Sequence, residues 1–448
     1  MREDWVECTL GEVFKTTSGG TPSRRNISYY KGTIPWIKSG ELDKGVINDS
    51  EEKISNEALK NSSAKLFPKG TLLIALYGAT IGKLSFLGID ASTNQAICGI
   101  FQSKYFSSKF LFYFLLYKRP ELVSQGTGGA QPNISQTIIK KLELPIPSLP
   151  EQQAIVKKIE GLFSSLDHSV ESLTKAQGQL KVYRQAVLSS CFSKKNKKNI
   201  SELIKNLSQG WSPKCLNKNS ADIEEWAVIK TSAIQAGRFL ENENKILPEH
   251  IEPREYHEIK KGDILITRAG PRVRVGICCL VKKVRPKLIN CDKVYRIELF
   301  NNLVVPEYFE YVLNSPEILS EIEIMKSGSS DSGLNLTQKR FLKLEIPYCT
   351  IEEQHQIVKE IESRLSVCDK LEESIATSLQ KAKALRQSIL KKAFEGTLLT
   401  PQEIANCKAH PNYKPASVLL EKIKAEKVAK ALTKKITVKK KPKKKVTK

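Results

Sequence analysis

Apolar residues recur at seven-residue spacing over two long stretches of this chain. In the first, Ile159, Leu166, Leu173, Leu180 and Val187 form one line, and Ile155, Leu162, Ser169, Ala176 and Tyr183 form another. The second stretch repeats the pattern with Ile361, Cys368, Ile375, Ala382 and Ile389, opposite Ile357, Leu371, Ser378 and Leu385. Arg364 interrupts that last line, and Leu365 beside it is the expected substitute. Such spacing predicts two long helices, each with a narrow apolar seam. Ahead of the first, Pro145-Ile146-Pro147-Ser148-Leu149-Pro150 reads as an extended linker, because proline disfavours helix at the residue before it. Helix is expected just after Pro150, where Glu151 suits the positive end of the dipole. No proline falls inside either run, and only Gly161 and Gly178 weaken the first. About 43 residues at a rise of about 1.5 Å give a rod of roughly 65 Å.

Both stretches belong to a longer internal repeat. Asn133-Ile134-Ser135-Gln136 returns as Asn335-Leu336-Thr337-Gln338, and Leu142-Glu143-Leu144-Pro145 as Leu344-Glu345-Ile346-Pro347. Glu151-Gln152 returns as Glu353-Gln354, and Arg184-Gln185 as Arg386-Gln387, all at one offset of 202 positions. Weaker likeness continues upstream at an offset of 191–192: Gly19 with Gly210, Ile37-Lys38 with Ile229-Lys230, and Gly78 with Gly270. The expected organisation is a variable domain over 1–145, a helical region over 146–195, a second variable domain over 196–345, a second helical region over 346–398 and a basic tail over 399–448.

A heptad run alone favours a helix that dimerises with another chain. Two copies in one chain instead favour burying the seams against each other, antiparallel so that the domains between them are held apart. Ser169, Ala176, Ser378 and Ala382 would permit close approach, and the pair would act as a ruler between the domains. The expected fold class is therefore α+β: two mixed α/β domains separated by two long helices that form an intramolecular antiparallel coiled coil, a pseudo-twofold repeat.

Within the variable domains, Leu72–Ala75 and Leu84–Leu87 read as a hairpin around Gly78 and Gly82, and Ile264–Thr267 with Ile277–Leu280 as its counterpart. The first turn carries Tyr77, Thr80 and Lys83; the second carries Arg268, Arg272 and Arg274. Glycine permits close approach to phosphate and arginine can pair with guanine edges, although glycine in a hairpin turn is equally plain turn chemistry. Two further basic loops occupy equivalent places: Ser18–Arg25, with Thr21, Arg24 and Arg25, and Gly210–Lys214. They precede strands ending at Lys38 and Lys230. Asn94-Gln95 and Asp292-Lys293 are equivalent in order, and Asn or Gln suits adenine; backbone capping is the alternative.

Composition narrows the field. The net charge of +24 points to a polyanionic partner. Residues 422–448 hold thirteen Lys against Glu426, which leaves +12 on the rest, so the body is itself basic. The run Lys439-Lys440-Lys441-Pro442-Lys443-Lys444-Lys445 reads as a solvated, self-repelling tail. The longest apolar run, Phe110–Tyr117, is a core helix and too short to cross a bilayer; no signal-peptide pattern opens the chain, and a cytoplasmic protein is expected. Ten scattered cysteines form no Cys-x-x-Cys and fit reduced, buried thiols. The five His make no metal or triad set, His168 and His355 reading as polar helix faces. There is no Walker-type loop, no Gly-x-Gly-x-x-Gly and no Asn-Pro-Pro-aromatic run, so neither ATP hydrolysis nor methyl transfer is expected here.

The Leu144–Gln152 segment (Leu-Pro-x-Pro-x-x-x-Glu-Gln), the Ala393-Phe394-Glu395-Gly396-Thr397-Leu398 close and the Gly11-Glu12-Val13 to Gly19-Gly20-Thr21-Pro22 opening resemble the specificity subunits of type I restriction–modification systems. The second copy departs from the pattern, with Pro347-Tyr348-Cys349 replacing the second proline. The resemblance implies a non-catalytic chain whose two variable domains are target-recognition domains, each reading half of a bipartite, asymmetric site in double-stranded DNA. It also implies two methyltransferase subunits and restriction/translocase subunits as partners. S-adenosylmethionine, ATP and Mg would reside in those partners, and no cofactor or metal in this chain. The alternative is a nucleic-acid-binding coiled-coil scaffold with no methyltransferase partner.

Overall fold

The structure, a computed structural model, describes residues 2–127, 132–193 and 195–426. The Lys439–Lys445 run lies outside the described residues. The chain divides into two compact units: Met1–Glu171 together with Leu379 onward, and Ser172–Ser378. The two long helices, Leu149–Phe192 and Ile351–Phe394, are each shared between the units.

In the first unit a five-stranded sheet runs in the order Thr16–Ser18, Ile97–Ile100, Leu72–Ala75, Leu84–Leu87, Gly45–Ile47. Strand alternation sends Leu72 and Ile74 into one core and Leu73 and Ala75 into another, so both faces of this strand are buried. A four-stranded sheet lies in the order Glu52–Ile54, Ile34–Ile37, Ala91–Thr93, Leu66–Phe67. The larger core joins the expected helix, Ser108–Ser124, to Ile155 and Ile159 near the start of the first long helix and to Ile389 and Phe394 near the end of the second. The Phe394 ring lies 5.2 Å from Phe110 and 5.4 Å from Phe114. Start against end is the antiparallel pairing.

The second unit repeats the plan. Its four-stranded sheet runs Ile204–Gln209, Val294–Leu299, Ile264–Thr267, Cys278–Leu280, and a three-stranded one runs Asn244–Ile246, Ala227–Ile229, Leu288–Ile289. Ile264 and Ile266 face one core and Leu265 the other. Here Val187 and Phe192, late in the first long helix, pack with Ile357, Val358 and Ile361, early in the second.

The repeated segment acts as a clasp in each unit. Glu143–Ile146 pairs antiparallel with Val6–Thr9, and Glu345–Tyr348 with Asn196–Asn199. The expected linker thus begins as a strand; a two-stranded ribbon has only edges, where Pro145 forfeits no ladder bond. Helix starts at Leu149, with Pro150 tolerated in the first turn. Gln152 is fully buried: its Oε1 accepts the Ser107 amide at 2.8 Å and its Nε2 donates to the Pro147 carbonyl at 3.0 Å. Gln354 does the same for the Val305 amide (2.9 Å) and the Cys349 carbonyl (2.9 Å). Glu151 instead accepts from the Trp5 indole at 3.0 Å and pairs with Arg2.

Four seam assignments need correction. Ile361, Cys368, Ile375, Ala382 and Ile389 are all buried, and Leu365 packs against the core as Arg364's substitute. On the other line Leu371 is 47% exposed and Leu385 48%, and on the matching line of the first helix Tyr183 is 48% exposed. Away from the helix ends, where the sheets add cover, one residue line fills the narrow contact and the second leans into solvent. Leu162, 38% exposed, is replaced in the core by Phe163. It lines a groove of about 620 Å³ beside the helix Pro401–Lys408.

That helix corrects a further expectation, since residues 399–426 are not tail. Leu399, Cys407, Leu419 and Ile423 are buried, and Lys158 bonds Glu403 at 2.6 Å. The ten cysteines are free and mostly buried, and burial pushes the Cys98 and Cys291 thiols up to about 12, which keeps them unreactive. Among the described residues no helix is long and apolar enough to cross a membrane.

Candidate nucleic-acid interface

In each unit two strands run parallel and end side by side: Ile34–Ile37 with Ala91–Thr93, and Ala227–Ile229 with Leu288–Ile289. Two loops meet at those ends. The Gly20 amide donates to the Thr93 carbonyl at 2.9 Å, and the Trp211 amide to the Asn290 carbonyl at 2.9 Å. A Cβ on Gly19 would stand 2.3 Å from the Thr93 oxygen, and one on Gly210 2.0 Å from the Asn290 oxygen. Both copies carry glycine there because the loops touch backbone to backbone.

The same bonds correct the pairing taken from sequence order. The Ile97 amide donates to Asn94 (3.3 Å) as Val294 does to Cys291 (3.2 Å), and Leu76 donates to Ala96 (2.8 Å) as Arg268 does to Lys293 (2.9 Å). Gln95 therefore corresponds to Asp292, Asn94 to the buried Cys291, and Lys293 to Ala96. Loops of unequal length move the offset from 192 at Lys38 to 197 at Gln95, which order alone does not reveal. Side chains obey the corrected register. The Thr21 hydroxyl donates to Gln95 Oε1, and the Ser212 hydroxyl to Asp292 Oδ1.

Carboxylates already hold several of the candidate cations. Arg24 bonds Glu52 at 2.6 Å and lies over the Tyr30 ring at 4.1 Å. Lys38 reaches Glu51 at 2.8 Å and Glu52 at 3.2 Å. The Arg24 hydrogen bond holds the Glu52 carboxyl below its ordinary range. Lys230 pairs with Glu243 at 3.9 Å. Arg25, Lys214 and Lys293 are exposed and have no side-chain partner among the described residues. The Asn94 side-chain oxygen is buried with none.

The hairpin turns are tied down by the first residues of the repeat. Ile134 N donates to Leu76 O at 2.9 Å, and Leu336 N to Arg268 O at 2.7 Å. Tyr77 bridges to Asn133, and the Thr80 hydroxyl closes the turn on the Tyr77 carbonyl at 2.6 Å. Lys83 pairs with Asp43 at 3.5 Å. Arg268 donates to Gln209 at 3.1 Å, and Arg272 is held by Asp331 at 2.9 Å and by Glu323. Arg274 is half-buried with no side-chain partner among the described residues. Because Leu76 and Arg268 bond the neighbouring loop, turn and loop form one continuous edge in each unit.

In the second unit this edge encloses a cleft of about 380 Å³ that brings Lys230 and Lys293 together with Ser212, Lys245 and Asp292. Sequence reasoning did not single out Lys245, which lies next to the buried Asn244 on its strand; alternation would have flagged it once the strand was recognised. Nor did it find Arg254, whose guanidinium lies 4.7 Å from the Trp211 ring centroid.

One frame built twice, with different side chains at the same loop positions, defines a protein with two related recognition heads. The family model for the type I restriction modification DNA specificity domain matches residues 2–175 and 193–381, and the chain belongs to that family. The EcoKI specificity subunit of Escherichia coli (strain K12) is 27% identical over 456 residues, covering 96% of this chain and 97% of that one. The EcoEI specificity subunit of Escherichia coli is 37% identical over 181 residues, which span 40% of this chain but only 30% of that one. Among solved structures, a chain from work on complex assembly and conformational transition of the type I R-M system matches with TM-score 0.69 at 18% identity, over 89% of this chain and 99% of that chain. The HsdS subunit from Thermoanaerobacter tengcongensis matches with TM-score 0.51 at 18% identity, over 89% and 98%. Those structures support the fold; the family supplies the role of DNA specificity, which is recognition rather than catalysis. The alternative of an unrelated scaffold is left without support.

Proposed function

We propose that each unit reads one half of a bipartite, asymmetric site in double-stranded DNA, using the edge formed by the paired loops and the hairpin turn. The observation that carries this reading is the equivalence of Gln95 and Asp292: the same frame, hydrogen-bonded the same way, presents different chemistry in the two units. Arg25 and Lys214 on the flanking loops and Lys293 beside Asp292, with no side-chain partner among the described residues, suit phosphate contacts that position without specifying. The long helices set the unread spacer, and their repeated outer faces receive two methyltransferase subunits. Those partners supply S-adenosylmethionine chemistry on adenine, while restriction/translocase subunits add steps that use ATP and Mg, all in the cytoplasm. The basic charge of the body, +12 without residues 422–448, favours the polyanionic partner. Purifying the tagged chain from its host tests this reading. It should emerge with methyltransferase subunits and bind duplexes of one two-part sequence; recovery free of any methyltransferase contradicts the proposal.

A further inference from the structure

Gln95 and Asp292 occupy one position of a shared frame but offer opposite hydrogen-bonding polarity. In the first unit the Thr21 hydroxyl donates to Gln95 Oε1, and the N–H donors of the amide have no partner among the described residues. In the second unit the Ser212 hydroxyl donates to Asp292 Oδ1, and the Ser212 oxygen accepts the Asp292 amide at 3.1 Å. The carboxylate is thus held in place with only acceptor capacity left. It is exposed and shares a cleft with Lys230, Lys245 and Lys293. An acid so placed makes no close ion pair with these lysines among the described residues, and it repels phosphate. The features of a DNA duplex that match a bare acceptor are exocyclic amino groups, which in the major groove are cytosine N4 and adenine N6.

We infer that Gln95 and Asp292 are specificity-determining positions, with Gln95 donating to the N7 edge of a purine and Asp292 accepting from cytosine N4 or adenine N6. This assignment rests on the reading that these loops face DNA. Thr21 and Ser212 are positioning residues that fix which polarity is turned outward. The corresponding base pairs of the two half-sites are then read by the same place on the frame, which explains how two units of one plan select different sequences.

The test uses the full chain with its partners in the host and maps methylated bases by sequencing. Gln95→Ala should relax one purine position in one half-site, and Asp292→Ala one cytosine or adenine position in the other. Each should lose roughly ten- to a hundredfold of its preference, with the remaining bases and the spacer unchanged. Asp292→Asn, which keeps the size and adds donors, should move the preference toward a base bearing an acceptor. A two-part motif untouched by either alanine variant overturns the assignment alone, as does relaxation of the same half-site by both. Loss of all methylation with Asp292→Ala and Asp292→Asn, in chains that still fold and bind their partners, also overturns it. An unaltered chain that directs no two-part motif overturns the underlying reading and the assignment with it.

Discussion

Arg386 is paired with Asp167, and the residues 202 positions from each, Arg184 and Asp369, form the same pair with the two helices exchanged. Only antiparallel helices from a repeat can make one contact twice in this reciprocal way. The pairs are half exposed, so each contributes about 0.2–1 kcal/mol and serves register more than stability. Asp167→Arg combined with Arg386→Asp should recover most of what either change loses alone. A double-mutant cycle by chemical denaturation is expected to give a coupling of about 0.5 kcal/mol, and zero coupling would contradict the pairing.

The seam is expected to be energetically uneven. Ile361 is fully buried whereas Leu371, on the other heptad line, is half exposed. Ile361→Ala should cost about 2–4 kcal/mol through lost burial and a residual cavity. Leu371→Ala should cost less than about 1 kcal/mol. Equal losses in denaturant titrations followed by circular dichroism would restore a two-line seam.

Both buried glutamines join a domain to its helix. Gln152→Leu strands the Ser107 amide and the Pro147 carbonyl, and Gln354→Leu strands the Val305 amide and the Cys349 carbonyl. A stranded buried group costs about 1–3 kcal/mol, so each change should lower the stability of its own unit by at least that much. Hydrogen exchange, read unit by unit, separates the two effects.

Acid should loosen the helix Pro401–Lys408 before the rest of its unit. The Lys158 hydrogen bond, helped by the Thr400 amide, lowers the Glu403 carboxyl from 4.5 to about 2. A folded value below the unfolded one stabilises above pH 4.5, and that contribution is lost as pH falls toward 2. Glu403→Gln should flatten this dependence, with hydrogen exchange of the helix as the readout. An identical acid profile for the two proteins would remove Glu403 as the cause.

The repeat and the long helices were readable because heptad spacing and a gapless offset survive without any knowledge of neighbours. The hairpins around Gly78 and Gly270 were readable for a similar local reason. What escaped was non-local. Val6–Thr9 pairs with Glu143–Ile146 across most of a domain, and nothing in either segment names its partner. Phe163 takes the core place expected of Leu162 because it packs against Tyr113 of the Ser108–Ser124 helix, a neighbour that heptad counting does not contain. The loop candidates were found by residue type, but their register was one residue out, since Gln95 and Asp292 align only through backbone bonds to Gly20 and Trp211 on the facing loop and to Leu76 and Arg268 on the hairpin. Arg24, Lys38 and Arg272, singled out in sequence as basic candidates for DNA contact, are held by Glu52, Glu51 and Asp331 in space.

The most direct test compares the methylated bases of the host genome with the gene intact and with it disrupted. One two-part motif, with a fixed unread spacer and modified adenine, should be present in the first and absent in the second. Methylation that persists without the gene, or a single uninterrupted motif, would contradict a chain with two reading heads.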